Sequence, residues 1–357
     1  MSIINPGLRM VRLSASSVQI GLGPGGIILD GLQAADISFV DALRQGIADP
    51  LVKEQAAALG LGSARAEEIC SMLAGQLFPD EELHAEGFRA ERLLPDHVAL
   101  LGLHQKPCRI FMSRREHAVV HLVGLGRTGA ALAATLVGAG VGTLLLEDDR
   151  PVGPSDVGPG SFKISDLGLA RSLAVRRRLL RIDPLANAHV LHTGGNGGPD
   201  PRCLDLAIVT SHDTVSQDTA ARFLAVERPH LFVVLREQDG RLGPFVIPGE
   251  TACADCVERH LGVQHVGWQE SPEAGASPAR HPASLESVAL ATTLAGMAAA
   301  HALLFLDAVN QPGSYSAVMT FHSGTGRWTR QEFAPHPDCG CQWQDQPLAT
   351  ISKTSSP

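Results

Sequence analysis

The spacing of apolar positions changes at about residue 118, and the change divides the chain into two kinds of pattern. Before it, residues 17–22 (Ser-Val-Gln-Ile-Gly-Leu) alternate, Gly23-Pro24-Gly25-Gly26 turns, and Ile27-Ile28-Leu29 is apolar again. This predicts a β-hairpin. Helical periodicity follows at 37–45 behind an Asp36 cap, then at 50–59 and 64–76, with Gly60-Leu61-Gly62 between them. Residues 1–90 therefore read as a small α+β, winged-helix-like module. Residues 91–117 read as a connector punctuated by Pro95 and Pro107, and Arg92, Arg109, Arg114 and Arg115 in it, with Arg89 just before it, read as a solvated face.

After residue 118 short continuous apolar runs alternate with helical stretches, the pattern of a mostly parallel sheet covered on both faces. Val119, Val120, Leu122 and Val123 form the first run, and it ends in Gly124-Leu125-Gly126-Arg127-Thr128-Gly129. A small-residue helix, a Gly140-Val141-Gly142 turn and a second run, 144–146, lead to Glu147, Asp148 and Asp149. Strand, glycine turn, helix, strand and acid make a dinucleotide-type βαβ unit. In such a unit Gly124, Gly126 and Gly129 let backbone approach a phosphate at a helix N-terminus. Asp148 is placed to accept a ribose hydroxyl. Arg127 is either an extra phosphate contact or a solvated first-turn residue.

Beyond it the expected order is a Gly/Pro loop at 150–160, a helix at 169–181 and a strand at 188–192. A flexible loop at 194–201 and a strand at 204–209 follow, with His212 and Asp213 at the strand's carboxyl end. Then come a helix at 218–227, a strand at 230–235 and a mobile crossover loop at 268–284. A long buried Ala-rich helix is expected at 285–306, its His301 a satisfied core histidine, and a hairpin at 315–333. The ending, 343–357, reads as a disordered tail.

Composition narrows the function. The 357 residues carry a net charge of −8 and 4% aromatic residues, which argues against nucleic acid as a partner. No secretion signal or uninterrupted membrane-length apolar run is apparent, so a cytoplasmic protein is expected. The seven cysteines are odd in number and partly clustered. Cys253-x-x-Cys256 and Cys339-x-Cys341 supply four thiolates, the donor set of a closed structural zinc site that staples the late hairpin to the core. His336 is a spare ligand. Cys70, Cys108 and Cys203 read as small buried hydrophobes, with Cys203, beside the Gly-rich loop, the one to test for reactivity.

These residues together resemble the ThiF/MoeB family, the adenylating fold shared with ubiquitin-activating enzymes. The resemblance covers about residues 115–342 and rests on the glycine turn, Gly140-Val141-Gly142, Asp148, Asp166-Leu167-Gly168, Ile182-Asp183-Pro184 and the cysteine pairs. It implies attack of a C-terminal carboxylate on the α-phosphate of ATP with magnesium. Asp148 would hold the ribose, Arg171 the phosphates and Asp213 the magnesium. The chain departs from the family pattern where phosphate is handled. Asp156 stands at the family asparagine, Pro159 at an arginine and Arg171 at a lysine, and Ser211-His212-Asp213 replaces Thr-Asp-Asn. Asp156 is expected to repel triphosphate.

A branch of the family with that profile comprises the ThiF-like partners of YcaO cyclodehydratases, which carry an N-terminal PqqD-like peptide-recognition module. The resemblance implies a homodimeric scaffold with one zinc per subunit. It would bind a precursor leader peptide as an added strand beside Gln19-Ile20-Gly21-Leu22 or Ile27-Ile28-Leu29, and present it to a YcaO enzyme in trans. The alternative is an active ATP-dependent adenylyltransferase.

Overall fold

The computed structural model describes residues 2–23, 25–79, 87–104, 106, 108–192, 203–215, 217–262 and 286–341. Pro24, Pro107, the loop at 194–201, the crossover loop at 268–284 and the tail at 343–357 lie outside or largely outside them. The chain divides into two compact units, Met1–Ser113 and Arg114–Pro357.

In the first unit β1 (Ser2–Ile4) is followed by β2 (Met10–Ser14), β3 (Ser17–Ile20) and β4 (Ile27–Leu29). Helices α1 (Ala34–Gln45), α2 (Val52–Ala58) and α3 (Ser63–Met72) come next, then β5 (Leu77–Pro79) and α4 (Phe88–His104). Strands β1 and β5 pair, and a separate antiparallel sheet runs β2-β3-β4. Val18, Ile20 and Leu29 from that sheet pack with Phe39, Val40, Leu43 and Ile69 in one apolar core.

Three expectations change here. Gln33, not Asp36, is the α1 cap; Asp36 closes the capping box by accepting from the Gln33 N–H at 2.9 Å. The hairpin gains a third strand, β2, which makes β3 central. The connector is helical: α4 runs through Pro95, and burial of Leu93, Leu100 and Leu101 offsets the lost helix hydrogen bond.

Helix α5 (Arg109–His117) leads into the second unit. There β6 (Val119–Val123), α6 (Arg127–Gly138) and β7 (Thr143–Glu147) form the expected βαβ unit. They are followed by α7 (Arg171–Ile182), β8 (Asn187–Leu191), β9 (Leu206–His212), α8 (Gln217–Ala225), β10 (His230–Leu235) and β11 (Asp239–Val246). Helices α9 (Ala254–Gly262) and α10 (Val288–Asp307) precede the hairpin β12 (Ala317–His322) and β13 (Arg327–Glu332).

The eight strands make one sheet in the order β13-β12-β11-β10-β9-β6-β7-β8. Strands β8, β7, β6, β9 and β10 are parallel, and β11 to β13 continue antiparallel. This is an α/β Rossmann-like fold. The chain moves from β6 outward to β8, then returns to the other side of β6 as β9, so the switch point lies between the carboxyl ends of β6 and β9, where such sheets bind ligands. Strand β11 escapes prediction because Gly240, Gly243 and Pro244 give its sequence the look of a loop.

Apolar residues of α6, α7 and α10 cover one face of the sheet, and α8, α9 and the cysteines the other. Helix α10 is long and apolar enough to cross a membrane, but Leu290, Leu294, Ala298 and Ala302 lie in the core and mark it as a core helix. Its His301 is buried and bonded to Ser314 Oγ at 2.7 Å. Among the arginines read as solvated, Arg115 is buried and grips Asp307 through two bonds of 2.7 Å, while Arg114 donates to the Asp307 carbonyl.

Candidate functional site at the sheet switch point

The glycine turn is built as its sequence requires. Gly124 has φ +82°, and a side chain there would strike the Thr210 carbonyl of β9; one at Gly129 would strike the Gly124 carbonyl. The turn therefore packs tightly against β9 and aims the first N–H groups of α6 into the switch-point crevice.

An anion is already seated there, and it belongs to the chain. Glu286 Oε2 accepts the Thr128 backbone N–H at 2.6 Å and the Thr128 hydroxyl at 2.9 Å. His212, at the end of β9, places Nε2 3.1 Å from Glu286 Oε1. Arg127 donates to the Glu286 carbonyl at 2.8 Å and to the Val157 carbonyl at 2.9 Å, so it is neither solvated nor free for a phosphate. Glu286 is 3% exposed. Burial acts to raise its carboxyl; His212 and Thr128 override that and hold it below the usual range. Glu286 lies inside the expected helix, 285–306, but outside the observed one, because Ser287 caps α10 by accepting from the Leu290 N–H.

A second charged cluster adjoins the ribose acid. Asp148 accepts the Leu125 N–H at 2.9 Å and two bonds from the Arg150 guanidinium at 2.9 and 2.8 Å, with Arg171 Nη1 at 3.3 Å. Burial raises this carboxyl, and Arg150, Leu125 and Arg171 together bring it below its ordinary value. Arg171 gives its stronger bonds to Asp156, at 2.7 and 2.8 Å from Nη2 and 3.1 Å from Nε. Asp156 also accepts the Gly153 N–H at 2.9 Å. Asp156, expected to repel triphosphate, is paired with Arg171, and that pairing commits the Arg171 guanidinium to a group of the chain itself.

Asp213 follows His212 in the chain, but its carboxyl joins the hydrogen bonds of neither cluster among the described residues. It is exposed, with φ +65°, and lines a cavity of about 560 Å³ with Arg236, Asp239, Arg241 and Glu258. Burial pushes the Glu258 carboxyl up and the Arg241 guanidinium down in that cavity.

On the opposite face the four cysteine sulfurs of Cys253, Cys256, Cys339 and Cys341 lie within 4.8 Å of one another. Neighbouring sulfurs are 3.4 to 3.6 Å apart, close to the roughly 3.8 Å edge of a tetrahedron with bonds of about 2.3 Å. Burial pushes the Cys339 thiol up, and a bound cation would offset that by stabilising the thiolate form of the ligands. The donor set fits a closed structural zinc. The His336 N–H donates to Cys256 Sγ at 3.2 Å, a support for a thiolate; the His336 ring is not among the clustered donors. Of the other cysteines, Cys108 is buried and Cys70 half-buried as expected, but Cys203 is exposed.

The profile of the ThiF family matches residues 111–342. The chain belongs to the ThiF family. A search of curated proteins gives no match. Among solved structures it is similar to E. coli MccB with ATP, at TM-score 0.71 and 14% identity over 96% of this chain and 99% of that one. It is also similar to the microcin C7 biosynthetic enzyme MccB in complex with N-formylated MccA, at TM-score 0.72 and 13% identity over 96% and 99%. PaaA matches at TM-score 0.68 and 15% identity over 92% and 99%. These likenesses establish the fold.

Within this ThiF protein, the structure gathers Gly124, Gly126, Gly129, Asp148 and Arg171 around the β6–α6 turn but leaves Asp213 in the separate cavity. The residues expected to take up a peptide also sort differently from the expectation. Gln19 and Ile20 belong to β3, which β2 and β4 flank, so no strand can be added beside them. Ile27, Ile28 and Leu29 form an edge strand whose outer side has no strand partner among the described residues, and Ile28 and Leu22 beside it are exposed. Arg150 and Glu286 were invisible as site residues. Arg150 follows Asp148 by two positions with no motif to mark it, and Glu286 arrives from 158 residues beyond Thr128.

Proposed function

We propose that this ThiF-family protein is a peptide-binding scaffold in the biosynthesis of a ribosomally made, azole- or azoline-type modified peptide. It holds the leader of the precursor and presents it to a separate YcaO-type enzyme in the cytoplasm. The observation that carries the reading is the self-pairing of the nucleotide site: Asp148, Asp156 and Glu286 are each satisfied by groups of the chain itself. The fold likeness to MccB in complex with a MccA peptide supports a peptide ligand. The winged-helix-like module offers β4 as an edge with no strand partner among the described residues, with Ile28 and Leu22 as apolar anchors for alternate side chains of an added strand.

A structural zinc at the four cysteines and a homodimer complete the proposal. The outward positions of α10, among them Ala289, Thr292, Gly296 and Ala300, are small and exposed, a surface suited to close packing of a second copy. Isothermal titration of the full chain with precursor leader peptides is the test. Saturable binding that weakens at least about tenfold in Ile28→Asp is expected; absence of saturable binding to the wild type would sink the reading.

The second reading, an ATP-dependent adenylyltransferase, is favoured by the retained glycine turn and the likeness to MccB with ATP. It requires ATP–pyrophosphate exchange in the presence of a peptide acceptor, lost in Asp148→Ala.

A further inference from the structure

The glycine turn has kept the geometry of an anion seat, yet the anion in it is a side chain. A methyl group at Gly126 would collide with Glu286 Oε1, so the carboxylate sits hard against the backbone where only glycine admits it. Its other oxygen takes both the N–H and the hydroxyl of Thr128, the second residue of α6. His212 supplies a further ring nitrogen from β9, and Arg127 fixes the Glu286 carbonyl, so the backbone that delivers the carboxylate is clamped as well. These groups converge from β9, from α6 and from the residues before α10, all within the second unit.

We infer that Glu286 is an internal anion that holds the phosphate seat of the glycine turn, and that this one carboxylate sets the site's selectivity against nucleotide phosphates. A phosphate entering the seat must take over the Thr128 donors and displace a buried carboxylate of its own sign. The loss of three contacts and the repulsion of like charges both oppose it. Conversely, anything that withdraws Glu286 exposes an intact cradle: the N–H groups of α6, the Thr128 hydroxyl and the His212 ring. The inference deepens the reading of a self-satisfied nucleotide site by naming the group that closes it. It is separable from the peptide proposal, because Glu286 belongs to a different unit from the β4 edge.

The test uses the full chain with inorganic pyrophosphate and ATP as probes. Wild type, Glu286→Ala and Glu286→Gln are compared by isothermal titration and by the shift of the thermal midpoint with probe concentration. Glu286→Ala should bind pyrophosphate at least about tenfold more tightly than wild type. Glu286→Gln keeps the shape of the side chain without its charge, and its gain should be at least about threefold. Leader-peptide titration should be the same in all three proteins. Equal pyrophosphate affinity in wild type and Glu286→Gln would overturn the inference even if the Ala variant fails to fold, as would wild-type binding as tight as that of either variant.

Discussion

Removing Arg171 probes whether this site is held by its own charges. The guanidinium is only 11% exposed and makes three contacts to Asp156 and one to Asp148, whose side chains are 1% and 3% exposed. Arg171→Ala leaves Asp156 a buried carboxylate with only the Gly153 N–H for company, while Asp148 keeps Arg150. Breaking a buried pair from one side costs about 3–5 kcal/mol. For a protein of this size that corresponds to a fall in thermal midpoint of about 6–20 °C. Asp156→Ala strands the arginine instead, but Arg171 retains Asp148 at 3.3 Å, so its cost should be smaller, about 1–3 kcal/mol. The double variant should recover about 1–3 kcal/mol relative to the sum of the single ones. Urea unfolding followed by tryptophan fluorescence is a suitable assay, because Trp328 lies in β13 of the second unit. Unchanged m-values would assign the shifts to stability. Single-variant costs that add to within about 0.5 kcal/mol would refute the pairing.

Elemental analysis should find one zinc per chain, and a chelator or Cys256→Ser should remove it and lower the thermal midpoint of the second unit; a metal-free chain of equal stability would exclude the staple. Glu147 receives His121 at 2.9 Å and Arg222 at 3.1 and 3.2 Å. Burial works to raise its carboxyl, and these partners prevail and hold it at about 2 against an ordinary 4.5. A carboxylate depressed by folding contributes fully above its unfolded value and loses that contribution as pH falls toward its folded one. Stability should therefore decline by on the order of 3 kcal/mol between about pH 4.5 and 2 on this account, and Arg222→Ala should flatten that decline in acid titrations monitored by circular dichroism. Gly296→Glu, on the exposed side of α10 with open space around it, should convert the proposed dimer to monomer in sedimentation experiments; an unchanged association state would remove α10 from the interface.

What the sequence made legible is what short spacing encodes. The βαβ unit is a matter of neighbouring residues, and the two cysteine pairs announce their convergence by their own repeats. Strand β2 has no sequence signature, because Arg12 and Leu13 are both exposed and leave no alternation to read, and without it β3 looks like an edge. The α4 helix was hidden by Pro95, whose local cost is offset by burial that only tertiary structure supplies. Glu286 has no local signature at all: it acts because the sheet brings β9 and the approach to α10 to the same turn.

On the proposed reading, the nucleotide site is closed by pairing rather than by deletion. Asp148 and a cation at position 171 both survive, and the glycine turn keeps its shape against Thr210. What changed is the company each keeps. Asp156 captures Arg171, Arg150 covers Asp148, and Glu286 fills the α6 terminus. A nucleotide would have to displace Glu286 to seat its phosphates and break the Asp148 pairing to seat its ribose, whereas the chain as it stands has three buried carboxylates satisfied by its own groups. Such a site is stable because it is closed. The three arrangements share one hydrogen-bonding partner, Arg171, which touches both Asp148 and Asp156, and the Arg150 charge also acts on Asp156 and Glu286, so opening the phosphate seat at Glu286 breaks none of the hydrogen bonds that hold Asp148. Pyrophosphate should then respond to Glu286 alone, and the nucleoside part of ATP should add little until Arg150 is also removed.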